Sequence, residues 1–129
     1  DPGNYILMRA PHSYVMLNAY PYNNGHLMVA PFRHAGSLSE LPPDERADLM
    51  ETLVQAEELL RRAFRPQGMN VGINVGHCAG AGVPGHVHVH IVPRWEGDTN
   101  FMPVVGETRV LPEMLADTYR RLRACLDET

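Results

Sequence analysis

The chain contains no lysine, and all 11 of its basic residues are arginine. This absence excludes a Schiff-base lysine and the lysine of a P-loop, because both chemistries need a primary amine. Arginine still offers a planar, bidentate donor for phosphate. The formal charge is −4, so the chain also lacks the excess of basic residues that a general nucleic-acid or membrane-surface binder carries. We therefore expect neither nucleic acid nor membrane as a partner.

Cysteines and long apolar segments are scarce as well. Cys78 and Cys125 are far apart and form no Cys-x-x-Cys pair, so no disulfide framework is predicted and the cytoplasm is the expected compartment. No apolar run approaches the ~20 residues of a spanning helix, and no signal peptide is visible. The chain opens at Asp1 rather than at a methionine, which is compatible with removal of an N-terminal piece.

What remains is the composition of an ordinary globular domain. The 129 residues are 44% hydrophobic and 20% charged, which suits one domain, residues 1–129, around a single core. Hydrophobic periodicity predicts strands over residues 5–8, 12–18, 26–30, 69–75 and 86–93 and helices over 43–64 and 113–126. This order predicts an α+β fold: a mostly antiparallel five-stranded sheet with one long helix and a C-terminal helix.

The long helix has the clearest boundaries. Pro43, followed by two acidic residues, suits a first turn, and Pro66 cannot continue the helix. Its apolar side chains recur at helical spacing, and we interpret them as core rather than as a ligand box. The core residues predicted here are Leu49, Leu53, Leu60 and Phe64.

Three histidines, His86, His88 and His90, alternate with Val87 and Val89. Alternate residues of a strand share a face, so the three imidazoles are predicted to point the same way while the valines point into a core. Histidine changes its charge near neutral pH, and its ring nitrogens can attack, relay protons or bind metal. A row of histidines on one face therefore needs hydrogen-bond partners or a chemical task.

The residues alone leave three interpretations open. The histidines are structural, or two of them bind zinc with His26 or Glu96 as a third ligand, or one is a nucleophile that attacks phosphorus. A nucleophile needs a tautomer-fixing neighbour, an anion cradle and a proton donor. His26 and the flanking histidines can relay protons, and Arg94 is either a phosphate ligand or a surface arginine. Backbone N–H groups for a cradle are offered by Gly76, Gly80, Gly82 and Gly85.

Residues 85–94, Gly-His-Val-His-Val-His-Ile-Val-Pro-Arg, resemble the signature of the histidine triad family. Residues 17–34 resemble its N-terminal conserved block, and residues 74–82 resemble its phosphate-side loop. Residues 94–103 are similar to the branch of diadenosine tetraphosphate phosphorylases and fragile histidine triad hydrolases. The resemblance extends over about residues 5–125, which is most of the chain.

This resemblance implies a role for each matching residue. His88 would be the nucleophile that takes up a nucleotidyl group as a phosphoramidate. His90 would contact the phosphate, while His86 and His26 would support the site by hydrogen bonding. The nucleotide-binding residues implied are Asn18 for the ribose hydroxyls and, for the α-phosphate, Asn74, Gly80, Ala81, Gly82 and Val83.

The implied activity is that of a nucleotidyl hydrolase or transferase that cleaves a dinucleoside polyphosphate. A nucleoside phosphoramidate hydrolase and a nucleotide-binding module with little turnover are the alternatives. No cofactor is required, although a divalent cation can arrive with the polyphosphate. Apolar side chains near Met16 and Met28 would line the base pocket. A homodimer is expected, with the fourth strand or the long helix near its interface.

Two departures from the family pattern refine these expectations. Residues 81–84 carry no side-chain donor where many relatives have glutamine or serine, which favours the phosphorylase-like branch. His34 and His86 match two positions of a structural zinc site, but the cysteine pair that completes it in many members is missing from this sequence. We therefore predict no zinc.

Overall fold

The computed structural model describes residues 5–18, 25–81, 85–98 and 111–127. Within these ranges it contains strands β1 (Ile6–Arg9), β2 (Ser13–Leu17), β3 (Leu27–Pro31), β4 (Gly68–Ile73) and β5 (Val89–Arg94). The helices are α1 (Pro43–Phe64) and α2 (Leu111–Asp127), with short 3-10 turns at Leu38–Glu40 and His77–Ala79. None of the helices described here is both long enough and apolar enough to cross a membrane.

The strands form one sheet in the order β1-β2-β3-β5-β4, and every neighbouring pair is antiparallel. The predicted α+β class, with a five-stranded sheet, one long helix and a C-terminal helix, is thereby confirmed. Because β5 enters between β3 and β4, this strand, which contains His90, lies inside the sheet rather than at its edge. Its side chains therefore have neighbours on two sides.

Alternation along the strands gives the sheet two different faces. Val15, Val29 and Ile91 point to one face and are fully buried. On the other face Met16 lies opposite Met28, and Met28 lies opposite His90, and these side chains are only half-buried. We call the first the covered face and the second the open face.

Helix α1 has the bounds that the sequence predicts. It ends because Arg65 adopts a left-handed conformation, with φ of 48°, just before Pro66. Leu49 and Leu60 are buried, and Leu53 and Phe64 pack partly buried against the same core. The predicted core residues of this helix are therefore confirmed.

Helix α2 packs on the edge of the sheet and on α1. The Tyr119 hydroxyl donates to the Ile6 carbonyl at 3.1 Å, and the Arg123 guanidinium donates to the Leu7 carbonyl at 2.6 Å. The Arg121 guanidinium lies 4.6 Å from the centre of the Phe64 ring, a cation–π contact. Because Leu122 is fully buried in the core that α1 and the sheet share, α2 belongs to the same packed unit.

Two strand boundaries differ from the prediction by more than one residue. β5 begins at Val89 rather than at residue 86, because the Val87 N–H donates to the Ala35 carbonyl at 2.6 Å instead of to a neighbouring strand. β4 ends at Ile73 rather than at residue 75, because Ile73 pairs with Val89, the first residue of its partner strand. The chain between the predicted strands over 12–18 and 26–30, and the chain between the last predicted strand and the C-terminal helix, lie mostly outside the described residues.

Candidate active site

The imidazoles of His86, His88 and His90 form one row, as the alternation predicts. The His86 and His88 rings are stacked with centroids 5.4 Å apart, and the His88 and His90 centroids are 6.5 Å apart. Val89 and Ile91 point to the covered face and are almost fully buried. The buried side chains therefore fix the segment, and the imidazoles are left on the open face.

His86 is oriented by a backbone group. Its Nε2 atom lies 2.7 Å from the Pro31 carbonyl oxygen, and a carbonyl oxygen can only accept, so Nε2 carries the proton. The His34 ring meets the His86 ring edge-on at 5.1 Å. A Cβ at Gly85 would lie only 3.2 Å from His34 Nε2, so glycine allows His34 to approach this closely.

His26 lies fully buried beside His90. Its Nε2 atom and the Nδ1 atom of His90 share a hydrogen bond of 3.1 Å. The Asn18 amide nitrogen lies 3.2 Å from His26 Nδ1 and 3.3 Å from His26 Nε2. Burial and then the charge of His90 lower the pKa of His26 to about 4, so this ring is neutral at pH 7.

His88 lies between its two histidine neighbours and is half-buried. Burial lowers the pKa of His88, and the charges of His86 and His90 lower it further. Burial also lowers the pKa of His90. His88 is therefore neutral near pH 7 and keeps a lone pair on one ring nitrogen, which is the form of imidazole that can attack phosphorus.

An apolar strip leads across the open face to the histidines. Ile6, Met16 and Met28 occupy consecutive opposed positions on β1, β2 and β3, and Met28 is opposite His90. On the other side His90 faces Gly72 of β4, where an added Cβ would meet nothing within 4 Å. Flexible apolar methionines beside an uncrowded histidine suit a flat aromatic ligand.

The predicted phosphate loop is only partly described. An added Cβ at Gly80 would lie 3.8 Å from Asn74 Nδ2, so these two predicted ligands are brought close together. The Gly80 N–H donates to the His77 carbonyl, and the Ala81 N–H donates to the Gly76 carbonyl. Both N–H groups are thus used inside the turn in this structure. The other two predicted ligands, Gly82 and Val83, lie outside the described residues.

Arg94 is engaged in the turn that follows β5. Its guanidinium forms a two-point ion pair with Asp98, with Nε–Oδ2 and Nη2–Oδ1 distances of 3.0 Å, and Nη1 donates to Asn70 at 2.6 Å. The Asp98 carboxylate also accepts the Trp95 N–H at 3.0 Å. In this structure Arg94, whose side chain is 34% exposed, therefore stabilises the turn.

The alternative zinc site has no ligand set in the part of the chain that the structure describes. No group of three or more histidine, cysteine, aspartate or glutamate side chains there is arranged to hold a metal ion. His26, one candidate for the third ligand, is hydrogen-bonded with His90 and Asn18. The N–H of Glu96, the other candidate, donates to the Gln67 side chain at 2.6 Å in the turn after β5.

Sequence reasoning missed two features of the site. The Pro31 carbonyl that fixes His86 is 55 residues away along the chain, and a main-chain acceptor leaves no mark in side-chain patterns. Arg33 and Glu45 form a two-point ion pair, 2.8 and 2.7 Å, that ties the segment after β3 to the start of α1. Only the opposite charges and the acid in the first turn of α1 hinted at this contact.

Comparison with known proteins gives a consistent result. Residues 3–97 match the family model described as the HIT domain. The chain is 43% identical over 122 residues to a Mycobacterium tuberculosis protein named AP-4-A phosphorylase, covering 95% of this chain and 63% of that protein. It is 35% identical over 96 residues to an asymmetrical bis(5'-nucleosyl)-tetraphosphatase of Schizosaccharomyces pombe, covering 74% of this chain and 52% of that protein.

Solved structures agree at the level of the fold. The crystal structure of the Caenorhabditis elegans NitFhit protein superposes with a TM-score of 0.77 at 30% sequence identity, covering 94% of this chain and 27% of that chain. The chain thus spans less than two thirds of the length of the two curated relatives and a smaller part of NitFhit.

Proposed function

Because the chain belongs to the histidine triad (HIT) family, we propose that it is an enzyme that cleaves dinucleoside polyphosphates such as diadenosine tetraphosphate. The nucleotidyl group is transferred first to His88 and then to inorganic phosphate. The observation that carries this proposal is the position of His88: half-buried, with a lowered pKa, between two histidines that other groups orient. Such a histidine is a nucleophile at neutral pH.

The first step is an in-line displacement at phosphorus. The lone pair of a His88 ring nitrogen forms the N–P bond, and the P–O bond to the remaining polyphosphate breaks with its electron pair going to the oxygen. His90, beside His88 on the open face, donates a hydrogen bond to the phosphate oxygens, where negative charge develops. The product of this step is a nucleotidyl-His88 phosphoramidate and a free nucleoside polyphosphate.

The second step releases the nucleotide. An oxygen of inorganic phosphate attacks the same phosphorus, the N–P bond breaks, and its electrons return to the ring nitrogen of His88. Diadenosine tetraphosphate then yields ATP and ADP. Water in place of phosphate would yield ATP and AMP. Phosphate is favoured because the relative with 43% identity over 95% of this chain is named a phosphorylase, and because residues 81–84 carry no side-chain donor.

The remaining roles follow the family pattern. His86, whose Nε2 donates to the Pro31 carbonyl, stacks on His88, and His26 orients His90 through a hydrogen bond. The strip containing Met16 and Met28 accepts the base. For the ribose and the α-phosphate we propose Asn18, Asn74, Gly80, Ala81, Gly82 and Val83. The N–H groups of Gly80 and Ala81 must then leave their present acceptors or share them with the substrate. No resident cofactor is needed because imidazole supplies the nucleophile; a divalent cation would arrive with the polyphosphate.

Product analysis tests this function. The protein is incubated with diadenosine tetraphosphate with and without inorganic phosphate, and the nucleotides are separated by ion-exchange chromatography. We expect ATP and ADP only when phosphate is present. ATP and AMP without phosphate would make the enzyme a hydrolase. Turnover of nucleoside phosphoramidates alone would assign it to that substrate class, and tight AMP binding without any turnover would make it a binding module.

We also propose that residues 1–129 form one HIT domain that assembles as a homodimer through β4 and α1. The described strands and both helices contribute to one core, which supports a single domain. Among the described strands β4 is an edge strand, and its Val71 is 48% exposed; Met50 on α1 is 60% exposed. Exposed apolar residues and edge strands are typical of interfaces between subunits.

Sedimentation velocity tests the homodimer. The parent should sediment as a dimer, and Val71→Asp should sediment as a monomer with an unchanged circular dichroism spectrum. The control is Val75→Asp, an equally exposed valine beyond the end of β4. A monomeric parent would refute the proposal. The cytoplasm is the proposed compartment, since Cys78 and Cys125 are both free.

A further inference from the structure

Two carboxylates of helix α1 are bound to the sheet. Asp48 accepts the backbone N–H of His12, just before β2, at 3.1 Å. Glu45 is bound at 2.8 and 2.7 Å by the guanidinium of Arg33, just after β3. Residues three apart on a helix lie on the same face. The first two turns of α1 therefore hold the chain at the ends of two adjacent strands.

The acceptor that orients His86 belongs to the peptide group between Pro31 and Phe32, which we call the 31–32 peptide. Its carbonyl, that of Pro31, accepts from His86 Nε2 at 2.7 Å. Its N–H, that of Phe32, donates to the His12 carbonyl at 2.9 Å. Because a peptide group is planar, fixing its N–H also fixes the direction of its carbonyl. The hydrogen bond to His12 therefore helps to set the position of the His86 ring.

The two carboxylates reach the 31–32 peptide by separate routes. Asp48 binds His12, whose carbonyl accepts the N–H of the 31–32 peptide. Glu45 binds Arg33, which follows the 31–32 peptide directly in the chain. Hydrogen bonds to a carboxylate are stronger than those between neutral groups. The peptide is therefore restrained both through β2 and through the chain that follows β3.

Burial makes the pair of Glu45 and Arg33 a firm contact. The side chain of Glu45 is 10% exposed, whereas that of Arg33 is 50% exposed. The hydrogen bond from Arg33 lowers the pKa of Glu45, so the carboxylate is charged at neutral pH. A charge that is almost out of water is costly without its partner. Glu45 therefore holds Arg33, and the backbone that carries it, in one place.

We propose that Glu45 and Asp48 are positioning residues for the histidine row and act on His86 through the 31–32 peptide. His86 stacks on His88 with ring centroids 5.4 Å apart. A His86 ring with a fixed acceptor therefore keeps the His88 ring in one orientation. Helix α1 supplies the fixed end of this arrangement, since Leu49, next to Asp48, is buried in the core.

For catalysis the inference rests on the proposed function. Without either carboxylate the 31–32 peptide is free to rotate, His86 loses its fixed acceptor, and the His88 ring is held less well in line with phosphorus. We expect Asp48→Ala and Glu45→Ala each to lower kcat about 10-fold, as for removal of a group that orients a reacting residue. KM should stay nearly constant, because neither residue belongs to the proposed nucleotide site. Carboxylates that only stabilise the fold would leave the kcat of the folded protein unchanged.

The direct test is the exchange of the Nε2-bound hydrogen of His86 with water, measured without substrate by NMR of the protein with 15N-labelled histidine. Its hydrogen bond to the 31–32 peptide should protect this hydrogen in the parent. Asp48→Ala and Glu45→Ala should each speed its exchange about 10-fold, because the acceptor is released more often. Glu57→Ala is the matched control on the same helix, since Glu57 is bound to Arg61, and it should change neither the exchange nor kcat.

Further variants keep the test decisive. Asp48→Asn and Glu45→Gln keep a side-chain oxygen as acceptor and should retain most of the protection. Arg33→Met breaks the same pair from its half-exposed side and replaces Glu45→Ala if that variant does not fold. Unchanged exchange in folded Asp48→Ala and Arg33→Met, or an equal change in Glu57→Ala, would overturn the proposal. A parent without turnover would refute the proposed function alone, since the exchange measurement needs no substrate.

Discussion

The covered face and the open face of the sheet are built from the same strands, but the first carries core side chains and the second carries the candidate active site. On β5, Ile91 is fully buried against α1 and the other strands, whereas its neighbour His90 is half-buried and shares a hydrogen bond with His26. On β3, Val29 and Met28 divide in the same way. Because side chains alternate between the faces along a strand, residues that stabilise the core alternate with residues of the candidate site.

This separation explains how a small domain holds several imidazoles in fixed positions. The buried side chains of β5 immobilise its backbone. The adjacent imidazoles are therefore held in position although they are only half-buried. The comparison predicts that substitutions on the open face change activity far more than stability, and that substitutions on the covered face do the reverse.

The largest effect is expected for His88→Ala. Removing the nucleophile should lower kcat by at least about 10⁴-fold, because no other group replaces its covalent role. The free energy of unfolding should change little, since His88 lies on the open face. Product formation and urea denaturation measure the two quantities on the same sample, and His77→Ala is the control at an exposed histidine. A His88→Ala protein that retains most of its kcat would contradict the proposed mechanism.

Ile91→Ala tests the covered face. The side chain is fully buried, so the lost burial and the remaining cavity should lower the free energy of unfolding by about 2–5 kcal/mol. Urea denaturation gives this value, and activity below the unfolding midpoint should stay within a few-fold of the parent. Met50→Ala, at a 60% exposed position, should change stability by less than about 0.5 kcal/mol. Comparable losses in the free energy of unfolding of Ile91→Ala and Met50→Ala would contradict the assignment of Ile91 to the core.

His26 does not follow this division between the faces, because it is fully buried yet contacts His90. Its pKa is lowered to about 4 in the folded protein, against 6.5 when unfolded, so the unfolded state binds more protons between these values. Its contribution to stability is complete above pH 6.5 and declines as the pH falls toward 4. Between pH 7.5 and 5 we expect a loss of about 2 kcal/mol from this group.

Urea denaturation across that pH range measures the His26 contribution. His26→Gln should remove this part of the pH dependence, whereas His77→Gln should retain it. The difference between the parent and His26→Gln isolates His26 from the other histidines, whose titration is common to both proteins. Identical pH dependence in the two would mean that His26 is not held neutral by burial.

The smallest effects concern two glycines. Gly25 has a φ of +84°, and an added Cβ would lie 3.1 Å from the Phe64 ring, so Gly25→Ala should destabilise the protein by about 1–3 kcal/mol. Gly72 faces His90, and an added Cβ there meets nothing within 4 Å, so Gly72→Ala should change stability by less than about 0.5 kcal/mol. Thermal denaturation distinguishes the two. An equal or larger loss for Gly72→Ala would show that the open face is more tightly packed than described.

Much of the fold can be predicted from local sequence patterns. The bounds of α1 are predictable because Pro43 and Pro66 act within one turn of the chain. The start of β5 is not, since the Val87 N–H bonds to Ala35, about fifty residues earlier. A residue whose hydrogen-bond partner lies that far away carries no mark of that partner in its own neighbourhood.

The candidate site likewise has features that local sequence predicts and features that depend on distant contacts. The shared face of the three histidines follows from strand periodicity, and the assigned roles followed from the family resemblance. What the sequence could not supply was the connection between elements: Pro31 with His86, Asn18 with His26, and Arg94 with Asn70. These contacts depend on strand order and register, which are properties of the assembled sheet rather than of any one segment.

The covalent intermediate on His88 can be detected directly. The protein is mixed with diadenosine tetraphosphate without inorganic phosphate, quenched in base, and analysed by intact-protein and peptide mass spectrometry. We predict one adenylyl group per chain on His88, absent in His88→Ala, and its disappearance with formation of ADP when phosphate is added. Turnover without any adduct, or an adduct that persists in His88→Ala, would contradict the account.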